Sequence, residues 1–136
     1  MINIFLSHSS KDDDYIKAVI DKMDVLPDKY KLIYFLQPYK RDTPMQNILK
    51  HLEETQLFIL FISNSSLEKV FVREEINTAL ELLRLGKMRA LLGLIIDRTV
   101  SEHDIRIPHE FLTTNTFYTD EPEKAVELAK EFIFQF

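Results

Sequence analysis

Apolar residues follow two alternating rhythms along this chain: short continuous runs, and longer stretches in which they recur every three or four positions. The runs INIFLS at 2–7, KLIYFL at 31–36, LFILFI at 57–62 and RALLGLII at 89–96 predict buried strands, with a short fifth over 115–118. After the first run, Ser10 followed three residues later by Asp13 predicts a capping box and a helix ending near Leu26. Pro27 and Asp28 break the chain before the second run. Thr43 as cap, Pro44 at the first helical position and Gln46 predict the next helix start, and Met45, Ile48, Leu49 and Leu52 carry its period. FVREEINTALELL at 71–83 has the apolar stripe Val72, Ile76, Ala79, Leu80 and Leu83, and Gly86 is its natural stop. Asp120 with Glu123 predicts the cap of a last helix whose Ala125, Leu128, Ala129, Phe132 and Ile133 face inward. The stretch 97–111 shows no clear period.

Strand and helix alternate about five times, which predicts an α/β fold with a central parallel sheet and helices on both faces. Ligands of such sheets bind beyond the carboxyl ends of the strands. The loops 7–12, 37–43 and 63–66 are therefore the places to look for chemistry. A length of 136 residues predicts one domain over 1–136, and 46% hydrophobic with 29% charged residues excludes a disordered chain. A net charge of −5 argues against nucleic acid as partner, because phosphate neutralisation needs clustered Lys and Arg. Absence of cysteine removes thiolate nucleophiles, disulfides and Cys-based zinc sites. With neither a leader pattern nor an apolar run of membrane-spanning length, the chain reads as a soluble cytoplasmic protein or a soluble module of something larger.

With Gly86 and Gly93 as its only glycines, the chain can hold neither a glycine-rich dinucleotide turn nor a P-loop. Phosphotransfer of the two-component receiver type needs acids where Ser7, His8, Ser63 and Asn64 stand. His8, His51, His103 and His109 lack ligand spacing, so no metal site is expected. Asp12, Asp13 and Asp14 look like a metal cluster, yet three acids in the first turn of a helix also serve its dipole. The loop Gln37, Pro38, Tyr39, Lys40, Arg41 is basic and aromatic in an acidic protein. It suits a phosphate, the acidic face of a second copy, or a plain crossover.

Phe71 and Glu75 stand four apart and so share one face of their helix. Glu75 falls one position off the buried stripe, at its edge, and a half-exposed carboxylate is expected there. An aromatic and an acid so placed suit a flat cationic ligand. Taken alone, the pair reads first as one more solvated acid beside Glu68, Glu74 and Glu81, since most helix carboxylates are solvated.

IFLSHSSKDDDY, followed by LFILFISNSSLEKVFVREEINTAL, resembles the first and third strand segments of a bacterial Toll/interleukin-1 receptor (TIR) domain. The shared features are Phe-Leu-Ser-His-Ser closing the first strand, a third strand ending in Ile62 and Ser63, and aromatic-x-x-x-Glu followed by Ile76 and Ala79. The resemblance covers the whole chain and implies the flavodoxin-like three-layer TIR fold. It departs from the family where Phe71 replaces the usual Trp, where Phe35 and Leu36 replace the acid ending the second strand, and where Asp42 replaces a loop glycine.

For TIR domains that cleave NAD, the resemblance implies Glu75 as the catalytic carboxylate, with Phe71, Ser7, His8 and Ser9 around the substrate. NAD is then a substrate and no further cofactor is implied. Cleavage of the nicotinamide–ribose bond would give nicotinamide and ADP-ribose or a cyclic ADP-ribose-type signal. The chain also resembles the separate TIR proteins of antiphage systems such as Thoeris, whose nucleotide product activates a downstream effector. Many TIR domains are instead non-catalytic assembly modules working through TIR–TIR contacts. For either kind the resemblance implies self-association, with Tyr39, Lys40, Arg41 and Asp42 as the assembly loop.

Overall fold

The computed structural model describes residues 1–23, 26–36, 45–114 and 116–136. Strands β1 (Ile2–Ser7), β2 (Tyr30–Ile33), β3 (Leu57–Ile62), β4 (Ala90–Ile95) and β5 (Thr116–Tyr118) form one sheet. Its order is β2-β1-β3-β4-β5, with every pairing parallel. The helices are α1 (Asp13–Lys22), α2 (Met45–Glu53), α3 (Asn64–Glu68), α4 (Val70–Arg84), α5 (His109–Thr114) and α6 (Pro122–Ile133). None of the described helices is long and apolar enough to cross a membrane.

Two cores sandwich the sheet, and the twofold period of the strands assigns side chains between them. Phe5, Phe58, Leu60 and Ile62 meet Ile48 and Leu52 of α2 and Val72, Ile76 and Ala79 of α4. Ile4, Leu6, Ile59 and Phe61 meet Ile16 and Val19 of α1 and Ala125, Ala129 and Phe132 of α6 on the opposite face. All six residues of β3 are buried, because it lies inside the sheet with helices above and below. The α/β architecture with a parallel five-stranded sheet is thus as the alternation predicted.

Several boundaries differ from expectation for local reasons. β2 ends at Ile33 rather than at residue 36, since it is an edge strand whose register with β1 stops at Phe5 opposite Ile33. Phe35 is nonetheless buried, with its ring 6.2 Å from Phe5 and 5.5 Å from His51. The box of Ser10 and Asp13 does not form. Ser9 caps a short 3-10 turn over Ser10–Asp12 by accepting from the Lys11 N–H, and α1 follows and ends at Lys22, short of Leu26. For α6 the cap is Glu121 with Pro122 at the first turn, because Asp120 is drawn away by Arg98 at 2.7 Å. The expected caps Thr43 and Pro44 lie outside the described residues, as does Asn115.

The chain order reverses around β1: β2 lies on one side of it and β3 on the other. Loops leaving the carboxyl ends of β1 and β3 therefore diverge to opposite faces, the place where sheets of this kind bind ligands.

Candidate functional site

Ser7 ends β1 in register with Leu60 of β3, where the two loops diverge. Its side chain follows Phe5 onto the α4 face, where its hydroxyl donates to Oε1 of Glu75 at 2.8 Å. Both residues are buried, Ser7 wholly and Glu75 at 1% exposure. The half-exposed position expected for Glu75 is therefore corrected. The buried stripe of α4 is Val72, Glu75, Ile76, Ala79 and Leu82, while Leu80 and Leu83 lie at its flank. The helix is rotated toward Glu75 relative to its apolar pattern, and the sheet answers with a serine there instead of an apolar side chain. Glu74 is exposed. Phe71, one turn before Glu75, is half-buried and packs at the border of the core.

His8 points the other way. It follows Leu6 onto the α1 face, where Nε2 lies 3.0 Å from Oδ1 of Asp13, and its side chain is buried. Ser9 turns back toward β3, its hydroxyl 2.5 Å from that of Ser65 at the start of α3. Of the three neighbouring residues singled out in the sequence, Ser7 directly meets Glu75, while His8 and Ser9 tie the end of β1 to α1 and α3. Tyr39, Lys40, Arg41 and Asp42 lie outside the described residues.

Further polar residues gather at these strand ends, and of them Asp97, Asp104 and Arg106 carried no signal in the spacing. Ser63 caps α3 through a reciprocal box with Ser66, and its hydroxyl donates to Asp12 at 2.6 Å. Burial pushes the Asp12 carboxyl above its ordinary value; the Ser63 hydroxyl opposes this, and the Asp97 and Asp13 carboxylates add to it. Asp97, just past β4, accepts from the Asn64 N–H at 3.0 Å and from the Thr99 hydroxyl at 2.6 Å, which hold its carboxyl low. Arg106 donates to Asn64 at 2.7 Å and grips Asp104 with two further bonds, at 3.0 and 2.7 Å. No group of three or more His, Asp or Glu among the described residues is arranged to hold a metal ion.

Five parallel strands between two layers of helices, with a buried Ser–Glu pair at the switch point of the sheet, define a doubly wound α/β domain. Residues 4–129 match the model of the TIR domain, and the chain belongs to that family. No curated protein matches the chain. TIR domains include NAD-cleaving enzymes and commonly self-associate through TIR–TIR contacts.

Proposed function

We propose that residues 1–136 act as a single TIR domain that cleaves the nicotinamide–ribose bond of NAD, with Glu75 as its catalytic carboxylate. The observation carrying this reading is the burial of Glu75 against Ser7 at the sheet's switch point. Desolvating a carboxylate costs several kcal/mol. Each hydrogen bond donated to it returns about 1.5–3 kcal/mol, and Ser7 supplies one. Packing alone would be served better by an apolar residue in the middle of the α4 stripe. Glu75 is the one carboxylate among the buried residues described, and an acid placed in an apolar stripe favours function there.

NAD needs few catalytic groups. Its nicotinamide is already a cation, so the ring leaves neutral with the bonding electron pair and requires no general acid. Positive charge then develops on the ribose carbon and its ring oxygen. The Glu75 carboxylate would stabilise that charge and hold the ribose hydroxyls, and Phe71 would offer a stacking face. Ser7 holds the carboxylate from the strand side, and His8 and Ser9 fix the end of β1 that bears Ser7. Water attacking the sugar cation gives ADP-ribose and a proton, whereas the adenine or a ribose hydroxyl of the same molecule gives a cyclic product. Such a product serves as a signal to an effector, as in bacterial antiphage defence. With Glu75 only 1% exposed, NAD reaches it after the carboxyl-end loops part, which makes assembly a natural trigger.

The test is incubation of concentrated protein with NAD and a crowding agent, followed by identification of products by mass. Release of nicotinamide by the wild type and its loss in Glu75→Gln are expected. An inactive wild type, or an equally active Glu75→Gln, overturns the reading.

A further inference from the structure

Ser7 interrupts an apolar face. Phe5 and Ser7 share one side of β1, and that side packs against α4. A serine with no exposed surface must find a hydrogen-bond partner within the protein, and it meets one 68 residues later in Glu75. The two ends of this bond differ in freedom. Ser7 is fixed by its strand, which β2 and β3 flank and which places it opposite Leu60. Glu75 reaches out from its helix through three rotatable bonds, so the serine is the anchor and the carboxylate the held group.

We infer that Ser7 is a positioning residue for the Glu75 carboxylate and not a substrate contact, an inference that rests on the NAD-cleavage reading. A serine hydroxyl has one proton to donate, and here Oε1 receives it. That commitment fixes the rotation of the carboxylate plane before the substrate arrives. A carboxylate aimed in advance at a developing positive charge needs no reorientation in the transition state. Removing the anchor should then slow the chemical step while leaving affinity for NAD in place.

The experiment compares steady-state NAD cleavage in Ser7→Ala, Ser7→Thr and Ser7→Val. Thr and Val have the same shape, so any packing disturbance is common to both and the hydroxyl alone separates them. Ser7→Ala and Ser7→Val should lose about 10- to 100-fold in kcat, the size expected for a hydrogen bond to a charged group, with KM nearly unchanged. Ser7→Thr should recover most of that loss. In a Glu75→Asp background, whose shorter side chain no longer reaches the hydroxyl, Ser7→Ala should add little. A raised KM at unchanged kcat, or equal rates for Thr and Val, overturns the positioning role and leaves the NAD reading standing. Absence of cleavage in the wild type, or full activity in Glu75→Gln, overturns the NAD reading and the role of Ser7 with it.

Discussion

Exchanging the Glu75 carboxylate for an amide keeps the shape of the side chain and removes its charge. Glu75→Gln should therefore leave the fold intact and cut NAD cleavage at least ~100-fold, while Glu74→Gln, on the exposed side of α4, should turn over near the wild-type rate. Circular dichroism and turnover measured on the same preparations check both. Phe71 is half-buried and borders the core, so packing and stacking make different demands on it. Phe71→Trp should stay active and Phe71→Ala should bind NAD more weakly with little change in melting. Were Phe71 mainly a packing residue, the alanine variant would instead lose up to about 3–5 kcal/mol of stability, a loss that thermal melts would expose. The pairing of Phe71 with Glu75 was readable from their spacing, but the burial of Glu75 was not. Leu80 and Leu83 drew the predicted stripe away from it, and its partner Ser7 lies on a distant strand that no local period reveals.

At the level of elements, legibility followed the source of each element's stability. β1 and β3 were plain as apolar runs because helices cover the sheet on both faces. β2 read too long, since an edge strand stops where its single partner stops pairing. α3 was missed because five residues hold no period, and its only mark is the reciprocal cap of Ser63 and Ser66. The segment after β4 was opaque for a related reason: its buried Val100, Ile107 and Phe111 follow no period, and side-chain hydrogen bonds shape the chain between them. Arg106 keeps the Asp104 carboxyl down at about 2, chiefly through the bond from its side chain and then through its backbone N–H. A depressed carboxyl stabilises the fold above its ordinary value of 3.8 and loses that contribution as pH falls toward 2. Asp12, whose carboxyl is raised, acts in the opposite sense, its contribution fading as pH rises through its folded value. In Arg106→Ala the Asp104 midpoint should return toward 3.8, which an NMR titration of the carboxyl carbons would read. Gly86 closes α4 at φ +76 with open space where a Cβ would stand. Gly86→Ala should thus cost about 1–2 kcal/mol from backbone conformation alone, measurable by chemical denaturation.

For the whole molecule, an acidic chain with a basic loop at Tyr39, Lys40 and Arg41 should assemble through unlike surfaces, in the manner of heterologous contacts that extend into filaments. NAD cleavage should then rise faster than linearly with protein concentration and weaken with salt, because exposed charge pairs are screened beyond about 8–10 Å. Reversing Lys40 and Arg41 to Glu should leave a folded monomer that crowding does not rescue. Sedimentation run beside kinetics tests this, and strictly proportional activity in both proteins would make the loop a simple crossover. The position of β1 between β2 and β3 also has a consequence in time. As the chain leaves the ribosome, β1 is made first, yet its inner neighbour β3 begins 50 residues after β1 ends, and the helix bearing Glu75 comes later still. Pairing across such a gap is slow relative to local helix formation. A nascent or damaged chain that has not closed its sheet thus lacks the Ser7–Glu75 pair, so the NAD cleavage proposed above would wait on completed folding.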